Sequence, residues 1–368
     1  MIISNRLFYI SLSLTGNISP CLSQILSNQK ILNSYDAENV IPHLQTENHN
    51  YGFSTFASIP YVHCFTDSPD KEAYDIAILG APFDTGVTGR PGARFGPKAI
   101  RSSSWRISPQ AYNIYTLRNP FNSWAKIIDC GDAPLTWLDN TIALSTLEKS
   151  HLSVSSPSPT PRIITLGGDH TTTLAALRSA HKRWGPVTVI HFDAHIDTWD
   201  PKVVSGGISD YAAVNHGTFL HIAHSENLIS NRSIHAGIRA PIARPKKDIR
   251  NDIRCGFEII TAREIDRIGP SGIAQKIKER VGNDRVYLSI DIDVLDPAFA
   301  PGTGTAEPGG WTTREFFTLL EGLEGINIVG GDVVEVAPVY DNVGETTVLA
   351  ASQIVLTLLD LMVQRRVD

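Results

Sequence analysis

The segment VTVIHFDAHID, residues 187–197, decides the fold that this sequence predicts. It opens as a short, β-branched and apolar run, which is typical of a strand covered on both faces of a sheet. It closes on polar residues at alternate positions, and alternate side chains of an extended chain point to the same side. The segment therefore predicts a buried strand that brings Asp193, His195 and Asp197 to one edge of a sheet.

Six more short, apolar, β-branched runs follow from Asp75 onward or flank this one, and segments with helical periodicity separate them. They lie at 76–79, 126–128, 163–166, 233–236, 286–290 and 326–329. This alternation predicts a three-layer α/β domain, with a mostly parallel, doubly wound sheet between two layers of helices. Helix ends fit the pattern, because Thr312 and Glu315 form a capping-box sequence and Gly185 can end a helix.

The composition describes an ordinary globular protein. Of its 368 residues, 42% are hydrophobic and 19% are charged, which is ample apolar material for a core. The formal net charge of -6 is spread without long single-sign runs, and this argues against a nucleic-acid-binding protein. No apolar run is expected to span a bilayer. We expect one domain at 71–368, preceded by a leader and an irregular N-terminal arm at 1–70.

The N-terminus resembles a short secretory signal peptide. Arg6 precedes the apolar stretch 7–14, and no acidic residue occurs before Asp36. Serines dilute the stretch and no clear cleavage site follows it, so an N-terminal extension without a targeting role is the alternative. The sequons at Asn17 and Asn231 are compatible with secretion. We expect a secreted protein, with a cytoplasmic or mitochondrial location as the alternatives.

The four cysteines are far apart in the sequence and include no C-x-x-C pair. This spacing argues against a zinc ribbon. Their redox state depends on the compartment and stays open for all of them, which are Cys21, Cys64, Cys130 and Cys255.

Two other predicted strands end in the same residue types as the first. One is followed by GGDH at 167–170, and the other runs into SIDID at 289–293. Open α/β sheets bind ligands at the carboxyl ends of their strands, so three strands would deliver side chains to one edge. Any one of these motifs alone could be a turn or a solvated loop end. The candidate donors are His170, Asp193, His195, Asp197, Asp291 and Asp293.

Four carboxylates at one sheet edge would repel each other and would be costly to desolvate. Bound cations remove that cost. Mixed carboxylate and imidazole donors without thiolates favour Mn²⁺ over Zn²⁺ or Fe²⁺. Six donors exceed the needs of one open catalytic metal ion, so the set predicts two ions that share carboxylates.

These motifs resemble those of the ureohydrolase family of arginases and agmatinases. The segment SIDIDVLDPAFAPGTGTAEPGG at 289–310 is similar to the family signature throughout, and the resemblance runs from about Asp75 to the C-terminus. It implies the arginase-like α/β/α fold, two Mn²⁺ ions per chain and a homo-oligomer, a trimer or a hexamer. It implies that Asp193 and Asp291 bridge the two ions. One ion would be held by His170, Asp193, Asp197 and Asp291, and the other by Asp193, His195, Asp291 and Asp293.

Three further segments match the same family. The glycine-rich segment 89–97 resembles its loop before the first helix, in which we interpret Arg94, like the nearby Arg101, as partners of structural carboxylates. The segment DVVEVAP resembles the one whose glutamate, here Glu335, holds the substrate guanidinium through a bidentate, charge-assisted pair. The segment NHGT resembles an agmatinase segment with a substrate-proximal histidine, here His216, although a lone loop histidine is usually just solvated.

The resemblance implies hydrolysis of a guanidino compound to urea and an amine. A water between two Mn²⁺ ions would supply hydroxide, Asp197 would relay a proton to the leaving amine, and His216 would exchange protons with solvent. The segment 199–216 looks more like agmatinases than like arginases, so agmatine is the expected substrate. The alternatives are 4-guanidinobutyrate and, less favoured, a non-catalytic family member. Asp200 or Asp210 could meet the ammonium group of agmatine, and Lys202 could meet the carboxylate of 4-guanidinobutyrate.

Overall fold

The computed structural model describes residues 54–65, 73–204 and 208–367. They belong to one compact unit, Gly52–Asp368. The predicted leader, the sequon at Asn17 and most of the predicted arm lie outside the described residues. The rest of the arm is irregular, with one short 3-10 turn at Phe56–Ser58. Tyr61 pairs with Asp129 of the sheet, so the chain contacts the domain before the predicted boundary at residue 71.

The core of the domain is an eight-stranded sheet in which every neighbouring pair of strands is parallel. The predicted α/β fold with a doubly wound sheet is confirmed. The order of the strands across the sheet is β2-β1-β3-β8-β7-β4-β5-β6. Their bounds are β1 (Ile76–Gly80), β2 (Ile127–Asp132), β3 (Arg162–Leu166), β4 (Thr188–Phe192), β5 (Ser233–Ile238), β6 (Phe257–Thr261), β7 (Arg285–Asp291) and β8 (Asn327–Val334).

One of these strands, β6, was not predicted. It lies at the edge of the sheet, and of its five residues only Phe257 and Ile260 are buried. An edge strand needs no continuous apolar run, because part of its surface faces water. The sequence rule that found the interior strands therefore missed this one.

Helices cover both faces of the sheet. Side chains of α1, α7, α8 and α9 pack in the largest apolar cluster on one face, and those of α2, α3 and α5 pack on the other. This gives the predicted three layers. The helices are α1 (Gly96–Ser103), α2 (Asn140–Val154), α3 (Thr172–Trp184), α4 (Pro201–Val204), α5 (Phe219–Ser225), α6 (Pro245–Arg254), α7 (Ile265–Val281), α8 (Thr313–Glu321) and α9 (Thr346–Val363).

The ends of two helices follow the sequence signals. Thr312 and Glu315 form the predicted capping box at the start of α8, with each side chain bonded to the other residue's backbone N–H. Gly185 ends α3 with a φ of 75°, a conformation that glycine adopts without strain.

The helix α9 is long and apolar enough to cross a membrane by length and composition, contrary to the expectation from the sequence. Within the fold, however, 78% of this 18-residue helix is buried. It packs against β8, α1 and α8. Its apolar character is therefore that of a core helix in the layer beside the sheet.

A buried ion cluster and a disulfide hold the N-terminal arm against the sheet. The Arg101 guanidinium donates two hydrogen bonds of 2.9 Å to Asp129, whose carboxylate also accepts from the backbone N–H of Phe56. A disulfide joins Cys64 of the arm to Cys130 of β2. The interpretation of Arg101 as a structural residue is confirmed. Arg94 has the same kind of role, since it pairs with the buried Asp84.

The strand order has a direct consequence for the functional residues. The strands β3, β8, β7 and β4 are consecutive neighbours in the centre of the sheet. In the sequence, the carboxyl ends of these four strands carry His170, Glu335, the Asp291 and Asp293 pair, and the Asp193 to Asp197 segment. Because all four strands are parallel, these side chains meet at one edge.

Candidate active site

The structure brings all six predicted donors together at this edge. Five of them have at most 6% of their surface exposed, and the sixth, His195, is half-buried. Burial of so many ionisable groups is costly unless they are paired with each other or with bound cations.

The first group of donors surrounds His170. Its Nδ1 lies 3.1 Å from Oδ2 of Asp193 and 3.2 Å from Oδ2 of Asp197. The same nitrogen lies 3.2 Å from Oδ2 of Asp291. Four donors from three strands therefore converge on one point.

The second group surrounds His195. Its Nδ1 lies 3.0 Å from Oδ2 of Asp293 and 3.3 Å from Oδ1 of Asp193. Asp193 thus points one carboxylate oxygen at each group. Among the described residues Asp291 has no such contact with His195, and its Oδ1 accepts the backbone N–H of Asp293 at 2.8 Å, as Oδ1 of Asp193 accepts that of His195. The position of Asp193 between the two groups is compatible with a bridging role, and bridging stays a prediction for both Asp193 and Asp291.

The charges of the site support occupancy by cations. Burial and the charges of Asp293 and Asp193 raise the pKa of Asp291 well above its ordinary value. Burial and the charge of Asp193 raise the pKa of Asp197 to about 6. Burial alone would lower the pKa of His170, but the carboxylates around it raise it well above its ordinary value. Protons and metal ions therefore compete for these groups.

Three buried atoms at the first group lie close to one another but make no well-directed hydrogen bond within the described residues. They are Nδ1 of His170, Nε2 of His191 and Oδ2 of Asp193. Such unpaired polar atoms are rare in protein interiors. A divalent cation would satisfy all three at once, so the residues present fit the binuclear manganese site that the sequence predicts.

His191 is a site residue that the sequence reasoning missed. Its Nε2 lies 3.1 Å from Oδ2 of Asp193, and its Nδ1 lies 2.8 Å from Nδ1 of His235. His235 in turn lies 3.0 Å from a carboxylate oxygen of Asp252. The signal was available, because His191 precedes Asp193 by two positions and alternate residues of a strand share a side.

A second series of buried hydrogen bonds orients the His170 ring through Nε2, the nitrogen that does not face the carboxylates. Its Nε2 lies 2.9 Å from Oγ of Ser289, which donates to Asp332 at 2.7 Å. Asp332 also accepts hydrogen bonds from Thr173 and Tyr287. Partners of this kind fix the ring and direct its other nitrogen toward a metal ion.

Glu335 and His216 lie beside the donors and contact each other. Oε1 of Glu335 accepts the backbone N–H of His170 at 2.9 Å and lies 3.0 Å from Nδ1 of His216. Burial would raise the pKa of Glu335, but the hydrogen bond and charge of His216 bring it below its ordinary value. Burial opposes a charge on His216 as well, but Glu335 raises its pKa to about 9.

Two of the candidate catalytic residues have an unusual backbone conformation. Asp197 has a φ of 49° and Glu335 has a φ of 59°, in the left-handed region that residues with a side chain seldom adopt. Such conformations cluster at functional sites, where the surrounding structure enforces them. Glu335 directly follows β8, and Asp197 lies in the segment that follows β4, which ends at Phe192.

Asp200, Asp210 and Lys202 are the residues proposed to bind the end of the substrate opposite the guanidinium. Unlike Glu335, they do not bond to the donors in the described structure. Asp200 accepts the backbone N–H of Lys202 at 2.9 Å, and Asp210 and Lys202 are exposed. In the described part of the chain, no hydrogen bond or ion pair joins these three residues to the six donors. A residue missed from the sequence, Glu307, lies closer, with a carboxylate oxygen 3.7 Å from Nε2 of His195.

Fold and site together define the class: an α/β/α protein whose central parallel strands end in a buried carboxylate and imidazole cluster able to hold two divalent cations. The family model described as the arginase family matches residues 74–360. The chain belongs to this family, as its motifs predicted, and it is a hydrolase that acts on the C–N bonds of amidines.

The relatives are similar over most of their length. The Schizosaccharomyces pombe protein named "Putative agmatinase 1" is 51% identical over 330 residues, covering 85% of this chain and 83% of that protein. The guanidinobutyrase of Pseudomonas aeruginosa is 36% identical over 303 residues, covering 82% of this chain and 90% of that protein. The solved structure of proclavaminate amidino hydrolase from Streptomyces clavuligerus has a TM-score of 0.75 at 35% identity, covering 86% of this chain and 99% of that one.

Proposed function

We propose that this protein is a manganese-dependent agmatinase, which hydrolyses agmatine to putrescine and urea and so acts in polyamine metabolism. The alternative substrate is 4-guanidinobutyrate. The observation that carries the proposal is the position of Glu335, an ionised and buried carboxylate beside the two groups of donors. A planar guanidinium can donate two parallel N–H bonds to such a carboxylate.

Agmatine is preferred because of the charge at the edge of the site. The side chain of Glu307 is 30% exposed and lies beside His195. A carboxylate there favours a substrate with a cationic far end over one with an anionic far end. The similarity to the S. pombe protein supports the same substrate, and the guanidinobutyrase of P. aeruginosa is the reason to keep the alternative.

In the mechanism, the protein's residues bind the guanidinium and move protons. Two divalent cations, when bound through the six donors, supply a hydroxide nucleophile at neutral pH. Glu335 would orient the guanidinium so that its carbon faces this nucleophile. Asp197 would carry a proton to the leaving amine, and His216 would exchange protons with solvent.

A panel of guanidino compounds tests the proposal. With the manganese-loaded protein, we expect urea release from agmatine to have a kcat/KM at least about tenfold above that from 4-guanidinobutyrate or arginine, since a favourable charge contact contributes about 1.4 kcal/mol or more. Glu307→Gln should reduce this preference while urea release continues. Faster release from 4-guanidinobutyrate would establish the alternative substrate, and no release from any compound would refute the enzyme assignment.

We also propose that the protein is secreted. The N-terminal stretch 7–14 after Arg6 resembles a signal peptide, and disulfides such as Cys64–Cys130 persist in oxidising compartments. Expressed in a eukaryotic secretory host, the protein should reach the medium with a shortened N-terminus and an intact disulfide. N-terminal sequencing and peptide mapping without reductant measure both. A cytosolic product that begins at Met1 would contradict secretion.

A homo-oligomer, a trimer or a hexamer, is proposed from the family resemblance. One segment of the described surface is compatible with self-association, because its large apolar side chains are more than half exposed. These residues are Trp105, Tyr112, Ile114, Tyr115 and Leu117.

A further inference from the structure

The loop that follows β1 packs against the segment that carries His216. The backbone N–H of Gly86 donates to Oδ2 of Asp169 at 2.8 Å, and its carbonyl accepts the backbone N–H of His216 at 3.1 Å. A side chain at position 86 would clash, since a Cβ atom there would lie 2.2 Å from Oγ1 of Thr171. The position of the loop relative to His216 is therefore fixed.

Two residues further along this loop, Thr88 contacts the His216 ring with two groups. Its backbone nitrogen lies 3.0 Å from Nε2 of the ring, and its Oγ1 lies 2.7 Å from the same atom. The opposite ring nitrogen, Nδ1, faces Glu335. Each nitrogen of this histidine thus has a partner, on one side the candidate guanidinium carboxylate and on the other Thr88.

The two groups of Thr88 differ in what they can do. A backbone N–H only donates, so it stabilises the ring with an unprotonated Nε2. A hydroxyl can donate to an unprotonated Nε2 or accept from a protonated one. The hydroxyl therefore gives Nε2 a partner in both protonation states, whereas the amide serves only the neutral state.

We infer that Thr88 is a positioning residue whose hydroxyl lets His216 gain and lose a proton while the ring keeps its place against Glu335. This role rests on the proposed function, in which His216 exchanges protons with solvent. It gives the loop after β1, just before the glycine-rich segment 89–97, a part in the chemistry beyond that of turning the chain.

The direction of the effect follows from the groups around the ring. Burial opposes a charge on His216, while Glu335, Asp197 and Asp169 favour it. Removal of the Thr88 hydroxyl takes away the partner of the protonated Nε2, and the backbone amide continues to stabilise the neutral ring. The pKa of His216 should therefore fall when the hydroxyl is lost.

The test compares Thr88→Val, which keeps the branched shape, with Thr88→Ser, which keeps the hydroxyl. Thr88 is exposed, so neither change should disturb folding, and Thr88→Ala is a second variant without the hydroxyl. Deuterium exchange at C2 of each histidine, followed by peptide mass spectrometry, measures the pKa of His216 in the manganese-loaded protein without reference to turnover. We expect a fall of about one pH unit in the valine and alanine variants, the scale of one lost hydrogen bond, and recovery in the serine variant.

The pH profile of kcat/KM gives the second measurement, and its limb that reports His216 should move to lower pH by the same amount in Thr88→Val. A His216 pKa equal to that of the wild type in both hydroxyl-free variants would overturn the inference. Failure of the wild type to release urea from any guanidino compound would refute the proposed function separately, and the exchange measurement would still decide the role of Thr88.

Discussion

Asp193→Asn should leave a folded protein that binds neither manganese ion tightly and releases urea at least about a thousandfold more slowly, since the hydroxide nucleophile depends on the ions. Asp193 is the residue whose two oxygens face both groups of donors. Asparagine has the same shape but only one oxygen and no charge. The substitution therefore weakens both groups at once, although the other five donors are unchanged.

Elemental analysis, urea release and thermal melting of the same sample measure this prediction. Burial would raise the pKa of Asp193, but His191, His170 and His195 bring it well below its ordinary value, so its ionised carboxylate stabilises the metal-free fold. The metal-free variant should therefore melt below the metal-free wild type while it still unfolds cooperatively. Asp139→Asn is the matched control, since Asp139 caps the exposed start of α2 and asparagine caps a helix equally well. The control should hold about two ions per chain, as a binuclear site requires. An Asp193→Asn protein with two ions and unchanged turnover would show that the carboxylate is not shared.

Glu335→Gln should have the opposite combination of effects, with normal manganese content and urea release lowered by about two orders of magnitude or more. Glutamine keeps an oxygen that can accept the backbone N–H of His170, so the strand end should hold its conformation. It lacks the charge that pairs with a guanidinium. The loss should therefore affect the orientation of the substrate rather than the binding of metal ions.

A purely structural role for Glu335 makes a different prediction, namely lower stability with little effect on turnover. The structure gives no support for a structural pair with an arginine, since in the described residues the ion-pair partner of Glu335 is His216, itself a candidate catalytic residue. Glu315→Gln is a suitable control, because glutamine also completes a capping box and the residue is far from the chemistry. If Glu335→Gln turned over agmatine and the other guanidino compounds at wild-type rates, the guanidinium would have to be held elsewhere.

The sequence alone was sufficient for the fold class and for most of the site. Interior strands of a parallel sheet must be apolar on both faces, and this local requirement is readable in the runs around residues 163–166, 187–192 and 286–290. Ligand-binding residues follow directly at the ends of such strands, so the donors from His170 to Asp293 could be named before their distances were known. Capping of α8 by Thr312 is local in the same way.

The tertiary structure alone decided which strand ends meet and which side chains become partners. The order β3-β8-β7-β4 brings Glu335, from the last strand, against His170, which precedes it by 165 positions, and the fold adds His216, which precedes it by 119. No local pattern encodes that neighbourhood. The contacts of Thr88 with His216 and of Cys64 with Cys130 join distant segments in the same way. Hydrophobic periodicity acts over a few residues, whereas these pairs depend on how whole layers pack, and that is the physical reason the sequence left them open.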